Sequence, residues 1–76
     1  MKNKVGWDTL ILSEPNFEHL VAELHHEGQF LLQLDREQGR DSVCIAFPNQ
    51  DGTLGARVSL EEFLRQLTAA AADLKR

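Results

Sequence analysis

Period-two alternation across residues 29–47 constrains this chain more than any other feature. In QFLLQLDREQGRDSVCIAFP, Phe30, Leu32 and Leu34 fall on one side of an extended backbone, and Val43, Ile45 and Phe47 do the same after a polar turn. Successive side chains of a strand point to opposite faces, so the pattern is that of two half-buried strands joined as a hairpin. Such a hairpin is marginal in water on its own and needs apolar cover on one face.

The flanking residues offer that cover as two helical patterns. Ser13 to Gly28 reads as a helix: Ser13 or Glu14 can cap it, Pro15 is tolerated in its first turn, and Gly28 stands where a left-handed C-terminal residue belongs. Its apolar stripe is Phe17, Leu20, Val21 and Leu24, with Glu18, His19, Glu23, His26 and Glu27 on the flanks or the opposite side. Near the other end, Ser59, Leu60, Glu61 and Glu62 form an S-x-x-E capping box. Leu60, Phe63, Leu64, Leu67, Ala71 and Leu74 follow at helical spacing, and the small residues Ala69 to Ala72 allow close approach to a sheet.

Between the helices the pattern predicts three strands, Gln29 to Asp35, Ser42 to Phe47 and Leu54 to Val58. They are joined by Arg36 to Asp41 and by Pro48 to Thr53, and Pro48 ends the middle strand because it has no N–H for the ladder. Trp7, Leu10 and Ile11 stand at i, i+3 and i+4, which suits one short helical turn packed over the edge of the core; a brief strand over Thr9 to Leu12 is the alternative. The expected fold is therefore α+β: a three-stranded antiparallel meander with two helices on one face, in the order short N-terminal turn, α, β, β, β, α. It forms a single small domain over residues 1–76. Phe30, Ile45, Leu54, Ala56 and Val58 would face the helices, leaving Leu31, Gln33, Ser42, Cys44, Ala46 and Arg57 on the open side.

Size and charge narrow the function. A chain this short buries only about 60% of the surface its unfolded form exposes, which leaves little room for a deep catalytic cleft. The single cysteine, Cys44, has no internal partner and sits among apolar residues, which suits a reduced, cytoplasmic setting. No apolar run approaches the roughly 18 residues of a membrane span, and the first dozen residues lack the pattern of a signal peptide. Formal net charge is -4, but Lys2, Lys4, Lys75 and Arg76 lie at the two ends; between Val5 and Leu74, twelve carboxylates face four arginines. Such a body repels phosphate backbones and anionic lipid, so neither nucleic acid nor membrane is expected as a partner, whereas a basic protein is attracted.

Candidate chemistry is sparse. His19, Glu23 and His26 would share one helical face at i, i+4 and i+7, with His25 nearby, but the order is not H-E-x-x-H and no further ligand is in view. A solvated polar face is the expectation, with no metal and no cofactor; the histidines could also give a partner surface a pH dependence. Cys44 lacks the basic or helix-terminal setting of a reactive thiolate, Glu61 and Glu62 are explained by capping, and no Gly-rich phosphate loop occurs. Enzymatic activity is not expected. Recognition by surface remains, and the candidate partner-binding residues are Leu31, Asp35, Glu37, Asp41, Asp51 and Arg57, with Glu61 and Glu62 extending the acidic rim.

The run FEHLVAELHHEGQFLLQLDREQG, followed by DSVCIAFPNQDG and VSLEEFLRQL, resembles the small acidic immunity proteins of bacterial polymorphic toxin systems. The similarity spans Phe17 to Leu67 and is one of pattern. It implies a protein that binds and neutralises a cognate toxin, often a nuclease with a basic active site, and it assigns no individual residue. The rival expectation is a self-associating structural or adaptor domain, a homodimer formed through the open sheet face or an exposed strand edge.

Overall fold

The alternation read over residues 29–35 extends into both neighbours, and the result is one antiparallel sheet. The structure is a computed structural model and describes residues 6–76; Lys2 and Lys4 lie outside the described residues. Its strands are β1 (Trp7–Leu12), β2 (Val21–His26), β3 (Gln29–Asp35), β4 (Cys44–Ala46) and β5 (Val58–Ser59), in that spatial order, followed by one helix, α1 (Leu60–Leu74). The expected three-stranded meander under two helices is thus corrected to a five-stranded sheet with a single C-terminal helix. The α+β class stands at that coarser level.

Two stretches account for the difference. Residues 21–26 pair with β1 on one side and β3 on the other, so the segment expected to be a helix is an interior strand. The helical stripe was real as a spacing, but Val21, Glu23 and His25 also alternate with Ala22, Leu24 and His26, and ladder pairing on both edges decides between the two periods. Gly28 keeps the positive φ assigned to it, at 82°, but in a two-residue turn with Glu27 at 53°. Positive φ at both central positions is the type I′ geometry that joins right-twisted strands. The first dozen residues follow the same logic: Trp7–Leu12 pairs with β2, and Trp7 and Leu10 do not pack over the core edge as expected but are 66% and 43% exposed.

The third predicted strand is shortened. Only Val58 and Ser59 join the ladder, and Leu54 forms an isolated bridge with Pro48. Flanking N–H groups carry that connection, Gly55 donating to Phe47 O at 2.8 Å and Asn49 to Thr53 O at 2.6 Å, so Pro48's missing donor costs no ladder bond. Gly55 suits this close approach, since a Cβ there would lie a tight 3.3 Å from Phe47 O.

Register determines what faces what, since directly opposed residues of an antiparallel pair project to the same side. One face carries Ile11, Ala22, Leu24, Leu32, Leu34, Ile45 and Val58 in successive cross-strand rows. The other carries Val21, Glu23, Gln33, Asp35, Cys44 and Ala46. A bulge at Leu31 interrupts the alternation: Leu24 pairs with Leu32 but His25 pairs with Phe30, which moves Phe30 to the second face, its ring 5.5 Å from His25.

The expectation about cover is also reversed. The face of Ala46 and Arg57, expected to be open, is covered at Arg57 by Phe17 from the segment before β2, and it holds the buried residues Val21, Gln33, Asp35 and Ala46. The face expected to lie under two helices is open, and Ile45 alone among its described residues is fully buried. The helix touches only β4 and β5, through its first turns, with the Phe63 ring 5.2 Å from Phe47. Beyond that it projects: Leu64, Leu67 and Leu74 are 51%, 53% and 86% exposed. The radius of gyration is 14.1 Å, against about 11 Å for a compact chain of this length.

Candidate functional site

The closed face is organised by one buried carboxylate. Asp35 ends β3 on that side with 3% of its side chain exposed, and Arg57, just before β5, reaches it with two donors: Nε to Oδ2 at 2.9 Å and an Nη to Oδ1 at 2.7 Å. The Glu37 N–H adds a third bond to Oδ1 at 3.1 Å. Burial pushes Asp35 up, but the Arg57 guanidinium and the Glu37 N–H outweigh it and hold the carboxyl below its ordinary value. Arg57 is raised in turn, chiefly by its hydrogen bond to Asp35. Its guanidinium carbon lies 6.0 Å from the Phe17 ring centroid, at the outer limit of a cation–π contact.

Glu37 clamps the covering segment from the other side. Its two oxygens accept the backbone N–H groups of Glu18 and His19 at 3.0 and 2.9 Å, and these bonds lower its pKa. Asp51 is committed to its own turn, accepting from the Thr53 hydroxyl and N–H, both of which lower it. Three of the six candidate partner-binding residues, Asp35, Glu37 and Asp51, are therefore engaged within the chain, and Arg57 is engaged with the first. Leu31 is the half-buried bulge residue of β3. Asp41 alone of the candidate acids is exposed and makes no hydrogen bond or ion pair with a described residue.

Asp41 lies on the rim of a shallow groove of about 660 Å³ between the β3–β4 connection and the first turns of α1. Arg40 and Glu61 share that rim, and Val43, Leu60 and Leu64 supply its apolar lining. Cys44 also lines it, half-buried, with Sγ 3.8 Å from Ser42 O. The histidine set does not assemble, because its helix does not exist: His19 is in the covering segment, and Glu23 and His26 project from opposite faces of β2. His25 pairs with Glu23 at 3.1 Å, and the His26 ring lies against Trp7 with centroids 4.4 Å apart and the planes tilted by 44°. Among the described residues no group of three His, Cys, Asp or Glu side chains is placed to hold a metal ion.

The most extensive apolar surface lies on the sheet face expected to be covered by helices. The open face runs apolar from Ile11 through Leu24, Leu32 and Leu34 to Phe47 and Val58, and Ile11, Phe47 and Val58 are 63%, 41% and 44% exposed. At one end it dips into a groove of about 400 Å³ lined by Ile11, Leu20, Val21, Ala22, Leu34 and Val43, with Asp35 and Arg36 at its border. Among the described residues only Val21, Ile45 and Ala46 are buried hydrophobic residues, so more large apolar side chains are exposed than are fully buried. The signal for it lies in the strand alternative over Thr9 to Leu12: as a strand this segment adds Ile11 to the sheet face instead of packing over the edge of the core.

No family model, curated protein or solved structure matches this chain. No described helix is long and apolar enough to cross a membrane.

Proposed function

We propose that this chain is a non-catalytic protein-binding module that works through its open apolar face and the helix beside it. The observation that carries this reading is the five-stranded apolar row from Ile11 to Val58, buried at Ile45 but half-buried at Ala22 and Leu34 and exposed at both ends, in a structure whose buried hydrophobic residues, among those described, are Val21, Ile45 and Ala46. A contiguous apolar face of that extent marks an interaction surface. Its carboxylates are spent on structure at Asp35, Glu37 and Asp51, so what chemistry the chain offers a partner is apolar area with a few free acids at its border.

The more specific version is toxin neutralisation, supported by the resemblance to immunity proteins and by the twelve carboxylates of the chain. In that version the acidic contact is not the whole rim expected from sequence but Asp41 and Glu61, the exposed pair that flanks the groove at the start of α1. A basic toxin surface would meet these two charges while its apolar residues reached Leu60 and Leu64. Co-expression with the toxin encoded beside this gene should restore growth, and the double change Asp41→Lys, Glu61→Lys should weaken that rescue. A neighbourhood without a toxin, together with no rescue, would overturn it.

A further inference from the structure

The open sheet face and the projecting helix are complementary parts of one chain that do not meet within it. The helix contacts only β4 and β5 among the strands, so its stripe of Leu64, Leu67 and Leu74 is exposed, and on the sheet face Ile11 is exposed while Ala22, Leu24, Leu32 and Leu34 are only half-buried. We propose that two copies of this chain pair by reciprocal exchange, each laying its helix stripe across the other's open sheet face. The proposal rests on the reading of that face as a binding surface and names its occupant.

Surface area argues for a second copy. The chain exposes 6198 Å² at a mass of 8.6 kDa, whereas a folded monomer of that mass exposes about 4,700 Å². Discounting the five undescribed residues by about 850 Å², an upper bound for their area, and comparing with about 4,450 Å² for a folded chain of the remaining mass still leaves roughly 900 Å² in excess. A stable interface removes about 800 Å² per partner, and obligate dimers more. The surplus is thus the amount one subunit of a dimer would hide.

Dimensions agree. At about 4.8 Å between strands, β1 and β5 lie roughly 19 Å apart. The 15 residues of α1 extend about 22 Å, so one helix spans the sheet. Chemistry agrees as well: the stripe positions Leu60, Phe63, Leu64, Leu67, Ala71 and Leu74 carry no charge, and neither do Ile11, Leu24, Leu32, Leu34 and Val58, so the acidic body does not repel itself at this contact. A partner of other sequence would have to bring both an apolar helix for the sheet and an apolar platform for the helix. Two-fold symmetry supplies both from one chain.

Sedimentation equilibrium of the full chain at micromolar concentration should give twice 8.6 kDa. Leu67→Glu and Ile11→Lys, both at positions more than half exposed in the single chain, should each raise the dimer dissociation constant about 100-fold or more, since every dimer would bury two unpaired charges. Mixed together the two variants should re-form a dimer, because one contact then pairs the opposite charges and the other is native. Circular dichroism checks that each variant folds; if Leu67→Glu does not, Leu74→Glu at the far end of the helix takes its place. A monomeric wild-type chain, an Ile11→Lys dimer as tight as wild type, or a mixture that fails to re-form a dimer would each overturn the exchange. A monomer that still binds its neighbour-encoded protein would overturn it while leaving the binding-module reading intact.

Discussion

Asp35 shows how an apparent surface acid becomes a structural one. It closes a strand where sequence suggests a polar turn, yet it is nearly buried and receives two guanidinium donors and a backbone N–H. Removing the guanidinium by Arg57→Ala leaves a buried carboxylate with one donor. Because Arg57 is about one-third open to water, we expect a loss of about 2 kcal/mol, below the range for a fully buried pair, measured by urea unfolding. Asp35 and Glu37 both have folded pKa values below their ordinary 3.8 and 4.5. The folded state therefore favours their ionised forms: the stability they contribute is complete above those values and is lost as pH falls through the lowered folded ones. Unfolding curves should be flat with respect to these groups near neutrality and fall steeply below about pH 4. Glu37→Ala should remove hydrogen-exchange protection from the Glu18 and His19 amides while leaving β3 protected. Neither carboxylate announced its role in the sequence, because the Arg57 partner lies 22 residues away and the clamped amides lie 18 and 19 residues away.

At the scale of elements, local signals were legible and long-range ones were not. Gln29–Asp35 forms as read, and the helix starts where its capping serine stands, with Ser59 Oγ accepting the Glu62 N–H at 3.2 Å. Half of the capping box is replaced, since the Glu62 carboxylate turns to Arg65 and Gln66 while Ser59 belongs to β5. Ser59→Ala should cost about 1 kcal/mol, read from the thermal melt of the helix signal. The segment 21–26 reads as helix from sequence because its apolar spacing fits both periods; only the neighbouring strands, which pattern cannot place, settle it. The turn after it carries the test. Glu27 holds a left-handed conformation that L-residues other than Asn and Asp rarely adopt, and its side chain and N–H both bond Gly6. Glu27→Asn should suit the type I′ turn better and stabilise the fold by about 0.5–1 kcal/mol; a lower melting temperature would mean that the exposed Gly6 contact outweighs backbone strain. The bulge at Leu31 was likewise invisible, because strict alternation of Phe30, Leu32 and Leu34 looks regular until pairing forces one residue out.

For the whole molecule, the apolar stripes read from sequence imply two helices sharing one core with the sheet. With β2 in the sheet, one helix remains, and it leaves from the edge strand instead of lying across the face. The same apolar residues that suggested a closed domain are thereby turned outward, and the account stands on what covers them in solution. Small-angle X-ray scattering over a concentration series reads mass and shape together. The exchanged pair predicts a forward-scattering mass of twice 8.6 kDa that persists on dilution through the micromolar range. A mass of 8.6 kDa with a radius of gyration near 14.1 Å at every concentration would contradict it, since the open face and the helix would then both be bare.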